Sequence, residues 1–189
     1  MQIGVFSQEP TVTALVDRAR DVAERGFGSL WVPQIFDLDA MTALAVVAHE
    51  VPGLRLGTAV VPTYPRHPMV MAGQARTIQQ VSDAGFTLGI GLSHQIVIES
   101  LLGMDFAKPV RHLREYLSIL MPLLHDETAA FAGETLTANN VALTIPDSTP
   151  VPVVVAALGP QLLKLAGTRT EGTVTWMTGP KTIAEHVGP

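Results

Sequence analysis

"RLGTAVVPTYPRHP", residues 55–68, decides how this chain is read. An apolar, β-forming run breaks off into a turn that holds Pro62, Pro65 and Pro68, each of which fixes φ near about −65°. Pro68 sits where the first turn of a helix tolerates proline. The remaining rigid residues mark a strand end built to hold its shape against something.

Working outward, strands and helices alternate. A first strand is expected at Ile3–Ser7, then a helix carried by Val12, Leu15, Val16, Ala19, Val22 and Ala23 and closed by Gly26. Ser29–Pro33 reads as the second strand, and Asp39 as the cap of the helix that follows. Arg55–Pro62 is the third strand, with Met71, Ala75 and Ile78 facing inward on the next helix, and Phe86–Ser93 is the fourth. Leu113, Tyr116, Leu117, Leu120 and Leu124 mark a helix whose last turn Pro122 is expected to kink or shorten. Residues 131–145 read as an inserted hairpin turning at Asn139-Asn140. Val151–Gly159 is the fifth strand, Gln161–Ala166 a helix, Gly172–Met177 the sixth strand, and a last helical piece starts near Lys181.

Apolar strands alternating with helices mean a parallel sheet covered on its faces. A doubly wound sheet and a (β/α)8 TIM-type barrel both satisfy that. Glycine, proline and polar residues directly follow the third and fifth strands, and barrel enzymes place their sites on such loops, which favours the barrel. A complete barrel takes about 250 residues. With six βα units the expectation is an incomplete barrel: a single domain over residues 1–189 with an insertion at 128–150.

Composition narrows the function classes. The chain is 47% hydrophobic and 15% charged with a net charge of −5, so it lacks the basic footprint that nucleic acid or an anionic membrane requires. It has no cysteine, which excludes disulfides, thiolate metal sites and cysteine nucleophiles. "MQIGVFSQEP" has no basic, apolar leader pattern, and a cytoplasmic location is expected. His112 and Glu115 have ligand-like i, i+3 spacing, but no second pair exists; Arg111, Arg114 and Glu115 read as a solvated face, and no metal is expected.

Two further loops carry binding chemistry. In "GIGLSH" (89–94) the glycines allow close approach of backbone N–H groups, and Ser93 offers a hydrogen bond, although close strand packing explains such glycines equally. "AALGPQ" (156–161) opens a helix at Pro160, where free N–H groups and the helix dipole favour an anion such as a phosphate.

"RLGTAVVPTYPRHP", "FTLGIGLSH", "VVVAALGP" and "GTVTWMTGP", in that order, resemble the luciferase-like monooxygenase superfamily, most closely its deazaflavin-dependent oxidoreductases. The resemblance implies a full (β/α)8 barrel, of which this chain lacks the final quarter. It implies a bulge, often with a cis peptide, at the end of the third strand, where Thr58 and Ala59 stand behind the coenzyme ring. It also makes Gly91, Leu92 and Ser93, then Ala157, Leu158, Gly159 and Pro160, then Thr178 and Gly179, candidate coenzyme contacts. The expected coenzyme is F420, with FMN the alternative, passing a hydride to or from a small organic molecule; a homodimer is the expected assembly. Several deazaflavin-dependent dehydrogenases carry an aspartate–histidine pair after the second strand, where this chain has Gln34 and Ile35. That leaves His94, Glu9 and Gln34 as candidates for the proton-handling role. The competing readings are a flavin-binding protein without turnover and a fragment that needs a partner chain to close its sheet.

Overall fold

β1 (Gly4–Phe6), β2 (Ser29–Val32), β3 (Arg55–Thr58), β4 (Val61–Pro62), β5 (Phe86–Gly91), β8 (Val153–Ala156) and β9 (Gly172–Val174) form one parallel sheet in the computed structural model. Residues 3–188 are described; Met1, Gln2 and Pro189, at the ends of the expected single domain, lie outside them. The strand order is β1-β2-β3-β5-β8-β9, with β4 lying beside β5 as the continuation of β3. Helices α1 (Val12–Glu24), α2 (Ala40–Glu50), α3 (Pro68–Val81), α4 (Pro109–Leu124) and α5 (Pro160–Arg169) make the crossovers. The Phe6 ring, at the end of β1, lies 5.8 Å from the Trp176 ring just beyond β9. The outermost strands therefore turn toward each other, and the sheet is a curled half-barrel of the TIM type.

Local chemistry sets the element boundaries. Thr11 caps α1 by accepting from the Ala14 amide at 3.1 Å, and Asp39 caps α2 by accepting from Thr42 at 2.8 Å. Pro68, Pro109 and Pro160 each occupy a first helical turn, where the missing N–H costs no internal bond. α4 runs on through Pro122 to Leu124, so the proline does not shorten it. β5 is buried at all six positions and forms the middle of the core.

The third strand is not continuous. Its ladder with β2 and β5 stops at Thr58, the Ala59–Val60 peptide is cis, and pairing to β5 resumes at Val61. At the break the Thr58 hydroxyl donates to the Gly89 carbonyl and accepts from the Gly89 amide, both at 2.8 Å. The backbones are so close there that a Cβ on Gly89 would stand 1.8 Å from the Thr58 carbonyl oxygen.

The insertion also departs from the sequence expectation. β6 (Ala129–Ala132) and β7 (Thr137–Val141) form a separate antiparallel pair, but the chain turns at residues 133–136. Asn139 and Asn140 lie within β7, where the register slips by one residue and Asn140 adopts φ 49°. Asn140 supplies left-handed backbone, but to a bulge and not to the expected turn. Arg76 of α3, 1% exposed, anchors the segment beyond the hairpin. Its Nη1 donates to Asp126 at 2.8 Å and to the Leu123 and Leu143 carbonyls at 3.4 Å, and its Nη2 to the Ile145 carbonyl at 3.2 Å. The fifth and sixth strands end at Ala156 and Val174, earlier than read, because the chain leaves the ladder for the loops that follow.

Replacing Thr58 by Val keeps the shape and strands the Gly89 amide and carbonyl in the core. The expected loss is about 2–4 kcal/mol, measured by urea denaturation. Gly89→Ala is expected to cost more than Thr58→Val, because the added carbon meets main chain that has no room to move.

Candidate functional site

A cavity of about 630 Å³ opens at the carboxyl ends of the strands. Ala59 and Val60, from the interruption between β3 and β4, line it together with Pro62 of β4, Ala156 and Val174. Val97, Ile98 and Leu102, from the helical stretch after β5 that includes a π-type turn at Val97–Leu101, line it as well. The mouth is lined by Phe6, Ile35, Phe36 and Trp176, each between 46% and 72% exposed.

The expected site residues divide by position. Ala59, Gln34, Ser93 and His94 line the cavity. Ser93 holds φ 64°, which turns the chain out of β5 at the rim. Thr58 is fully buried, and its hydroxyl is committed to Gly89. Gly91 and Leu92 are buried behind the wall; a Cβ on Gly91 would meet Val60 Cγ2 at 2.8 Å, so this glycine serves packing. Ala157 is buried, while Leu158, Gly159 and Pro160 continue outward from the lining residue Ala156 into the uncapped amino end of α5. Thr178 and Gly179 follow Trp176 just outside the lining, and Thr178 Oγ1 donates to the Trp176 carbonyl at 3.1 Å.

Of the three proton-handling candidates, His94 alone combines a titratable ring with a place in the cavity. Gln34 lines the wall, but its amide oxygen accepts from Arg66 and from the Ala40 amide, both at 3.2 Å, so it secures the start of α2. Glu9 lies outside the lining and accepts from the Ser7 hydroxyl at 2.7 Å. The sequence reading missed Phe6, Ile35 and Phe36 at the mouth and Val97 and Leu102 deeper in the lining. The available signal was large apolar side chains at strand ends and in the segments directly after strands.

Glu115, 7% exposed, is buried and does not share a solvated face with Arg111 and Arg114, and His112 is buried as well, at 6%. His112 and Glu115 border the apolar stripe of α4, and the β6–β7 hairpin folds over that border. Glu115 Oε2 accepts from the Thr135 amide and hydroxyl at 2.7 Å and the Leu136 amide at 3.1 Å, and Oε1 from the Glu134 amide at 3.1 Å. Burial pushes its carboxyl upward, but these hydrogen bonds and nearby Arg111 outweigh burial and hold it below the ordinary value. His112 stacks on the Tyr64 ring at 4.0 Å, and its Nε2 lies 3.1 Å from the Thr63 hydroxyl. The Tyr116 hydroxyl donates to the Arg66 carbonyl at 3.0 Å. Thus α4 grips the proline-rich turn from behind while Pro62 and Pro65 face the cavity. Burial drives the Tyr64 hydroxyl up to about 12, with Asp105 and Glu99 adding to it.

A family model described as luciferase-like monooxygenase matches residues 2–189. A Mycobacterium tuberculosis protein provisionally described as a coenzyme F420-dependent oxidoreductase is 28% identical over 96% of this chain and 56% of its own length. Among solved structures, an F420-dependent secondary alcohol dehydrogenase bound to an F420–acetone adduct superposes with a TM-score of 0.84 at 20% identity, covering 97% of this chain and 60% of that one. A type II Baeyer–Villiger monooxygenase from Pseudomonas putida in complex with FMN gives 0.77 at 17% identity, covering 95% and 58%. Both likenesses are of fold. The chain spans about half the length of the curated relatives it matches.

His112 offers a test of the buried grip. Burial lowers its value from 6.5 to about 4, the Glu115 carboxylate opposing only in part. The unfolded chain therefore takes up the proton first as pH falls. The stability it contributes is complete above about pH 6.5 and is lost between there and about pH 4, on the order of 3 kcal/mol. Urea denaturation from pH 7 to 4 is expected to show this slope, and His112→Asn to flatten it. An equal slope in the variant assigns the loss to other groups.

Proposed function

The chain belongs to the luciferase-like monooxygenase family, and on that premise we propose that its apolar cavity receives the ring of a deazaflavin or flavin coenzyme for a redox reaction on a small organic molecule. One observation carries this: the cavity sits at the carboxyl ends of the parallel strands, against the rigid break between β3 and β4. The residues present suit such a group. Ala59, Val60, Pro62, Ala156 and Val174 offer a low apolar wall for a planar ring, and about 630 Å³ lies within the size range of small-molecule sites.

When bound, the coenzyme supplies or accepts a hydride. The chain itself binds, orients and excludes water. Its proline-rich turn, held by Thr63–His112 and Tyr116–Arg66, keeps the wall from relaxing. The uncapped amino end of α5 presents free N–H groups on which a coenzyme phosphate would rest. His94 is placed to give or take a proton at the cavity rim. We assign F420 ahead of FMN, supported by the description of the Mycobacterium tuberculosis relative; the FMN-bound neighbour keeps FMN as the alternative. A cytoplasmic homodimer, expected from the sequence, belongs to the same reading.

Titrating the purified chain with F420 and with FMN, followed by coenzyme fluorescence, is the direct test. Saturable binding of F420 at micromolar concentration, tighter than FMN, is expected; no binding of either ends the proposal. His94→Asn is expected to lower turnover by about 10²–10⁴-fold while coenzyme affinity changes little.

A further inference from the structure

The cavity lining has a composition that the coenzyme reading does not require. Of its eighteen residues none is Lys, Arg, Asp or Glu, and His94 is the one titratable side chain among them. The charged groups next to it in sequence are already engaged. Arg66 pairs with Asp39 and donates to Gln34, Asp37 accepts from Gln8 at 2.5 Å, and Glu99 accepts from Gln95 at 3.0 Å. A charged substrate entering here would give up its hydration without gaining an opposite charge, which is the costly case.

The rim points the other way. Phe36 is 72% exposed, Trp176 70% and Ile35 55%, and Trp176 is held beside Phe6 at an interplanar angle of 58°. These large faces remain open to water in the chain itself, so a ligand that covers them gains burial on both sides. Polar side chains are few: Ser93 and His94 adjoin at the end of β5, and beside them the lining holds Thr175 and Gln34, whose amide oxygen already accepts from Arg66 and the Ala40 amide.

We infer that this cavity takes an uncharged, predominantly apolar substrate bearing a single oxygen function, its hydrocarbon part packed against Phe6 and Trp176 and its oxygen directed to Ser93 and His94. Phosphorylated sugars and carboxylates are the classes this lining rejects. The inference rests on the reading of the cavity as a redox site, and the experiment below separates the two.

Calorimetric titration of the chain, with and without F420, would use 2-octanol, octanoate and glucose 6-phosphate as probes. The first two share a hydrocarbon tail and differ in charge. 2-Octanol is expected to bind at least ten times more tightly than octanoate, and glucose 6-phosphate to show no saturable heat. Trp176→Ala, a change at an exposed position that leaves the core intact, is expected to weaken 2-octanol about tenfold. Octanoate or glucose 6-phosphate binding as tightly as 2-octanol overturns the inference, as does an unchanged 2-octanol affinity in Trp176→Ala. If F420 binds and 2-octanol does not, the inference fails and the redox reading stands. If 2-octanol binds through Trp176 and neither coenzyme binds, the redox reading fails and the apolar selectivity stands.

Discussion

The approach of β3 to β5 at Thr58 and Gly89 is the constraint on which the rest of the site depends. With no side chain on Gly89, the Thr58 hydroxyl closes both backbone bonds at that point, and the ladder ends there. Everything beyond has to reach β5 again after a detour through Ala59 and Val60. That detour is the cavity wall. A threonine whose side chain never meets the cavity thus decides where the cavity lies.

The wall is apolar, yet what holds it in place is polar and lies behind it. Thr63, His112, Tyr116 and the Arg66 carbonyl form a layer between the turn and α4, and the Glu115 carboxylate extends that layer to the hairpin. Such groups are costly to bury alone and stabilising once each has a partner. The division leaves the cavity free of charge while the strength of the turn is supplied from elsewhere.

How much of this was legible depended on the kind of signal. Strand and helix alternation was plain because buried parallel strands are written as continuous apolar runs, and Asp39 and Pro68 announced helix starts through chemistry that acts within four residues. The importance of 55–68 was also visible, since proline rigidity is local. Asn139-Asn140 misled because left-handed backbone serves a bulge as well as a turn, and only the register of the partner strand separates the two. Glu115 misled for a related reason: a polar residue beside an apolar stripe looks solvated until a distant hairpin covers it. The apolar rim was hidden because Phe6, Ile35, Phe36 and Trp176 come from three separate stretches of chain, the end of β1 and the segments after β2 and β9, that meet only when the sheet curls.

Arg76 has a consequence for how this chain tolerates change. Three of its four acceptors are main-chain carbonyls, at Leu123, Leu143 and Ile145. A guanidinium that reads carbonyls is blind to the side chains carried beyond them. The path of the segment around 143–145 is therefore fixed without reference to its side chains at this contact, while Val141 and Leu143 separately pack against the core. Its length is another matter, because inserting or deleting one residue would carry a carbonyl out of reach and leave a buried cation short of acceptors. For this contact the insertion is constrained as a contour, while Ala129 and Ala138, buried in the core, tie other parts of it to their side chains.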